Sequence, residues 1–421
     1  MSRALALALA LPSAAGWALV TRLLPDSDKS PLALLGRVAL AAIAGIGLSS
    51  LAAFLWLLSG QGLGRAYVVA DALLFTALAV GLTAWPRRML PAALRPEAEP
   101  APSAAPPGSS RALGFAALAV LGVALAVVTW QFVEAAAAMP HGQWDAWSVW
   151  NQRARFILRA GGEWRHAFAR ELSWSQIGYP LLVPLAVARL WAYAGETTVA
   201  PAAVSAVFTL GAPAAIAAAA GAAAGPLAGA IAALLLLGTQ GFIFWGVAQY
   251  ADIPVAALLA AGLGALVAAE QAREHRRAGA LALSGLLLGL AGWTKNEGLA
   301  GAALAVASYV VVASRARGLS AVLRELRAIA WGAALPAAAW LAFHVAVVPA
   351  VLPNMPATTG TLAQKLLDSG RWKLVLTTLA QEMPGSPIAL PVLAILLAAS
   401  LGLRPRSLLR STPILAATLL Y

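Results

Sequence analysis

The 421-residue sequence contains no cysteine, which excludes a disulfide framework, a thiolate metal site and a cysteine nucleophile. Charge is also scarce: Asp, Glu, Lys and Arg make up 11% of the chain, against about a quarter in soluble domains, and 61% is apolar with a mean hydropathy of +0.79. A soluble domain needs more polar surface than this, and a disordered chain needs the opposite balance of low hydrophobicity and high net charge. Histidine occurs only at 141, 166, 275 and 344, with no metal-ligand spacing. Gly-rich phosphate loops, G-x-S-x-G elbows and zincin motifs are missing as well. What remains is an all-α polytopic membrane protein.

The charge that is present is lopsided, with 25 arginines and four lysines against 17 acids. The arginines fall in short clusters between apolar runs instead of one basic stripe with interleaved aromatics, which speaks for cytoplasmic loops and against nucleic acid. An Ala/Leu/Arg bias fits a GC-rich bacterial genome and hence a bacterial inner membrane. Hydropathy windows place spans near 4–23, 36–58, 66–85, 113–133, 199–221, 225–247, 252–270, 278–294, 299–314, 328–348 and 387–403. Together with a short run at 179–194, this predicts about 11–13 helices. The run from Ala4 to Val20 reads as a first span, with a cleavable signal peptide as its alternative. Ser411 to Tyr421 reads as the opening half of another span, as in a C-terminally truncated chain.

Two polar stretches divide the sequence. Residues 86–112, rich in Pro, Ala and Ser, form a cytoplasmic linker between an N-terminal three-span unit (1–85) and a larger membrane domain (113–421). Residues 134–178 hold five of the fifteen tryptophans, at 144, 147, 150, 164 and 174, and read as a structured interfacial loop. With the linker inside, the span at 113–133 delivers this loop outside. The run at 179–194 carries Arg189 in only 16 residues and is assigned as non-spanning, dipping into the interface. The basic groups Arg273/Arg276/Arg277, Arg315/Arg317/Arg324/Arg327 and Arg404/Arg406/Arg410 then fall inside. Asp145, Asp252, Lys295 and Glu297 all converge on the outer face. The loop's own arginines, at 153, 155, 159, 165 and 170, run against the positive-inside rule, and lipid phosphates are their expected partners.

Within the loop, Trp144, Trp147 and Trp150 recur every three residues, a spacing that predicts one shared helical face lying in the interface. Asp145, Ser148 and Gln152 point off that stripe. Asp145 is either a helix N-cap or a chemical group. Asp252, two residues before Pro254, is either a helix start or a site residue. Lys295 and Glu297 interrupt continuous apolar sequence; ionisable groups there cost a few kcal/mol each and are paired or functional. Asp71 is an intramembrane acid with no partner visible in the sequence. Asp26-Ser-Asp28 has a metal-binding spacing but sits in an inner-side turn.

Read in order, Trp144-Asp145-Ala-Trp147, Gly178-Tyr179-Pro180, Tyr250-Ala-Asp252-Ile-Pro254 and Thr294-Lys295-Asn296-Glu297-Gly298 resemble the bacterial C-type (GT-C fold) glycosyltransferases, in the branch related to protein O-mannosyltransferases and the lipid A aminoarabinose transferase. The resemblance covers about 113–403. It departs from the family in having a lone Asp145 where an acid pair is usual, and Tyr179-Pro-Leu181 for His-Pro-Pro. It implies a GT-C-like bundle that takes a sugar from a polyprenyl-phosphate carrier at the outer face and inverts the anomeric centre. By the same resemblance Asp145 is the general base, and Asp252 positions the acceptor or a divalent cation. Lys295, Arg153 and Arg155 would bind the donor phosphate, supported by His141, Trp144, Trp147, Tyr179, Tyr250, Asn296 and Glu297. The acceptor (lipid, glycan or protein) is open.

A phosphate leaves as a stabilised anion, so one carboxylate and nearby cations suffice, unlike a glycosidase with two flanking carboxylates. The alternative class is a transporter or flippase of an amphipathic substrate, which is expected to show two related halves with symmetric Gly/Pro breaks. Neither is visible. The absence of cysteine provides the topology test: Ser148→Cys should react with an impermeant maleimide in intact cells, and His275→Cys should not.

Overall fold

The computed structural model describes residues 2–24, 30–84, 111–239, 241–272, 274–348, 364 and 367–382. The linker at 86–110, Asp26-Ser-Asp28, the span expected at 387–403 and the arginines at 404, 406 and 410 lie outside them. Among the described residues there is no strand. The helices are α1 (Arg3–Leu23), α2 (Pro31–Leu58), α3 (Arg65–Ala84), α4 (Arg111–Ala138), α5 (Asn151–Ala160), α6 (Leu182–Ala194) and α7 (Val199–Ala224). There follow α8 (Pro226–Leu237), α9 (Phe242–Val247), α10 (Asp252–Gln271), α11 (Glu274–Thr294), α12 (Asn296–Arg317), α13 (Leu319–Ala346) and α14 (Ser369–Glu382).

Eight of these, α1–α4, α7, α10, α12 and α13, are long and apolar enough to cross a bilayer, so the chain is a multi-pass membrane protein. α11 is buried on nearly every side from Ala280 to Thr294 and forms the central helix. With 21 residues it rises about 31 Å, the same span as its neighbours. The window at 225–247 is not one continuous helix: it breaks between α8 and α9, where Gly241 adopts a left-handed φ of 82°. Small residues let the backbones close, as membrane helix pairs require. A Cβ on Gly285 would strike the carbonyl of Ile329, and one on Gly332 that of Ala282, which fixes the α11–α13 crossing.

Short connections make successive helices antiparallel, so charge collects at two ends. Asp252 opens α10 and Glu270 closes it, roughly 27 Å apart along the axis. At one end Asp252 meets Lys295; at the other Glu270 and Glu325 meet Arg317, and Glu325 also meets Arg277.

The first three helices are not spatially separate from the rest, despite the linker. Ser50 of α2 accepts from the Trp293 indole (3.0 Å) and donates to the Leu181 carbonyl (3.3 Å), and the Trp164 indole donates to Leu57 (2.9 Å). Phe54, Trp164, Trp293 and Phe343 pack edge-on or tilted around that segment. Helix α6, thirteen residues and about 20 Å long, is too short to span. It agrees with the assignment as non-spanning, and Leu182–Trp191 is buried inside protein.

Its Arg189 is the partner the sequence could not show for Asp71. Both side chains are 0% exposed, Nε and Nη2 of Arg189 reach the carboxylate at 3.1 and 2.6 Å, and Tyr67 and Tyr193 donate to the same group at 3.2 and 2.6 Å. Nη1 donates to the carbonyl of Ala8 in α1. Removing one member leaves a buried unpaired charge, at a cost of about 3–5 kcal/mol, whereas replacing both by apolar groups is far milder. Asp71→Ala should therefore lower unfolding stability in detergent by about 3–5 kcal/mol, and Asp71→Leu/Arg189→Met should recover most of it.

Candidate active site at one end of the bundle

Two segments from opposite halves of the chain are clamped together to form the site. After α4, the loop turns at Gly142 (φ 69°), where an added Cβ would lie 2.5 Å from the Ala248 carbonyl. That carbonyl accepts from the Gln143 amide (3.1 Å). Gln249, itself left-handed at φ 61°, accepts from Asn151 (2.8 Å) and donates to the Pro140 carbonyl (3.4 Å). A strained residue held by two side-chain bonds is a common feature of functional sites. The clamp brings Asp145 on the loop into electrostatic reach of Asp252 at the start of α10 and of Lys295.

Lys295 is extended (φ −155°, ψ 150°) and breaks the chain between α11 and α12. Its ammonium lies 3.0 Å from Asp252 Oδ1, 3.6 Å from Glu297 Oε1 and 5.7 Å from the ring centre of Tyr179. Tyr179 donates to Glu297 (3.4 Å) and stacks on Trp150 at 5.4 Å and 26°. Asp145 makes no hydrogen bond or ion pair among the described residues. Partial burial first, and the neighbouring Asp252 carboxylate second, raise its pKa, with Lys295 opposing. Lys295 is shifted upward in spite of burial, through its bond to Asp252 and the charge of Glu297. Three carboxyls against one ammonium leave the cluster negative.

The Asp145 carboxylate accepts no amide of the following turn, so its capping reading does not hold; Asp252 is the first residue of α10, as a helix start, and its carboxylate also lies on Lys295. The tryptophan stripe is corrected: Trp144 and Trp147 are exposed and meet edge-on at 4.5 Å, but Trp150 is buried. Residues Ala146–Trp150 form a π turn, whose extra residue per turn rotates Trp150 off the shared face and onto Tyr179. Ser148 is buried, so an exposed residue such as His141 is the better labelling position on this loop.

The two loop arginines are also corrected. Arg153 is buried and donates to the carbonyls of Ser175 (2.5 Å) and Tyr179 (3.5 Å), with burial pulling its ionisation down to about 9. It fixes the turn that presents Tyr179 and is not offered to a phosphate. Arg155 and Arg159 both bind Glu196 (2.8 and 2.7 Å), a protein partner where lipid phosphate was expected. Bonds from Arg159, the larger effect, and Arg155 pull the Glu196 carboxyl down. His141 and Asn296 are exposed, and Tyr250 packs against Trp245 at 5.4 Å; none of these three contacts the Lys295 group. Among the described residues no three His, Asp or Glu side chains are arranged to hold a metal ion.

Sequence reasoning missed Gly142, Asn151 and Gln249. The polar Gln249-Tyr250 pair at the end of an apolar run was the available signal. Comparison with family models, curated proteins and solved structures yields no match to this chain.

The raised carboxyl of Asp145 has a thermodynamic sign. Its protonated form is the one the fold favours, so that contribution is complete below the unfolded value near 3.9 and is lost as pH rises through the folded value. Asp145→Asn should therefore unfold at a higher temperature than wild type at pH 7, and the gap should close as pH is lowered toward 3.9. Melting curves of both proteins across that range give the test.

Proposed function

We propose that the chain is an integral-membrane glycosyltransferase with a GT-C-like bundle. It moves a sugar from a polyprenyl-phosphate donor to an acceptor hydroxyl, with inversion. The reaction takes place at the periplasmic or extracellular face of a bacterial inner membrane. The observation that carries this reading is a carboxylate with no hydrogen-bond or ion-pair partner among the described residues, Asp145, held within electrostatic reach of an ammonium at the end of a membrane bundle.

The chemistry needs one base and one cation. The acceptor oxygen bonds to the anomeric carbon as the bond from that carbon to the phosphate oxygen breaks. The hydroxyl proton passes to Asp145, and the electron pair leaves on the phosphate. A carboxyl shifted upward is a better base than an ordinary one. Lys295 supplies the positive charge for the departing phosphate, and Asp252 and Glu297 hold it in place until the donor arrives. Trp144 and Trp147, exposed beside Asp145, sit where an interfacial substrate would enter.

Asp145→Asn should lower transfer from a panel of polyprenyl-phosphate hexoses and pentoses by roughly 10²-fold or more, with expression preserved and the melting temperature not lowered. Transfer at a near-normal rate by this variant would remove Asp145 from the reaction.

A further inference from the structure

Charges at the opposite end of the bundle do not balance. Glu270 and Glu325 are consumed by Arg317 (2.7 and 3.0 Å), with Arg277 (3.2 Å) and the Tyr309 hydroxyl (2.8 Å) also on Glu325. Arg324 and Arg327 stand on either side of Glu325 in sequence, exposed on α13, and make no hydrogen bond, ion pair or ring contact with any described residue. They lie in the N-terminal part of α13, where the helix dipole gives a cation no help.

Arg324, Arg327 and Trp331 follow i, i+3, i+7 and so share one helical face. Trp331 is 81% exposed, and Leu335, one turn on, is exposed as well. α13 has 28 residues, about 42 Å, against roughly 30 Å of hydrocarbon. A hydrocarbon layer of about 30 Å ending at Ala346 would reach back to near Arg327, with Trp331 one turn inside it. The face is therefore cationic at headgroup depth and apolar below. Because α13 is itself a span, its exposed face is turned to lipid.

We propose that Arg324, Arg327 and Trp331 form a binding site for an anionic phospholipid. The two guanidinium groups take the headgroup phosphate, which their planar forks match, and the indole lies along the glycerol and the first acyl carbons. Charge complementarity selects the occupant: these two cations have no partner among the described residues, and Glu270 and Glu325 are already used by Arg317 and Arg277.

The test uses the full-length chain equilibrated with vesicles of equal phosphatidylglycerol and phosphatidylcholine, followed by native mass spectrometry of the lipid retained in detergent. Wild type should be enriched in phosphatidylglycerol, and each of Arg324→Gln and Arg327→Gln should cut the enrichment about 5-fold. Trp331→Ala should shorten retention without changing the preference. Arg165→Gln/Arg170→Gln, two exposed arginines on the loop at the other end, should leave both unchanged. Equal retention of the two lipids by wild type overturns the site. So does an enrichment that survives loss of both α13 arginines or falls equally in the loop control. Displacement of the lipid by millimolar inorganic phosphate would assign the arginines to a soluble anion and overturn the lipid as occupant.

Discussion

Hydrocarbon does not solvate charge, and the organisation of this protein follows from that constraint. Ionic groups have three permitted locations: the two ends of the bundle, or the interior with a complete set of partners. α10, α11 and α12 carry their charges at their termini, and the deep pair Asp71 with Arg189 is closed by two tyrosines and a carbonyl. The same constraint explains why Asp145 stands out. Its position is fixed by backbone contacts, and its carboxylate has no partner among the described residues.

Rigidity at that end comes from the C-terminal half of α2. Ser50, Phe54 and Leu57 touch the loop, the start of α6 and the end of α11, so helices from the N-terminal unit hold up the elements that carry Tyr179 and Lys295. Arg153 works in the same way from the loop side, by gathering two carbonyls around the turn before Tyr179.

Nine of the ten spans read from hydropathy within the described residues coincide with single helices, because twenty apolar residues have few other solutions in lipid. The convergence of Asp252, Lys295 and Glu297 was legible for a related reason: each interrupts apolar sequence at a helix boundary, and alternating direction puts those boundaries at one end. What stayed hidden depended on contacts remote in sequence or on a local change of helical pitch. No periodicity announces the π turn that removes Trp150 from its stripe, and an arginine in an aqueous loop carries no mark of whether carbonyls, Glu196 or a phosphate will bind it. The break between α8 and α9 was concealed by unbroken hydropathy.

The Asp71–Arg189 pair also orders events during biosynthesis. The two residues are 118 positions apart, so at 5–20 residues per second Arg189 is made roughly 6 to 24 s after Asp71. Through that interval α3 must reside in the bilayer on the strength of its apolar residues, with Tyr67 beside the acid and Arg189 not yet synthesised. Arrival of α6 supplies the counter-charge and seats the short helix in one step. The N-terminal helices thus wait as an unfinished receptacle, and the chain assembles inward from both sides of its linker.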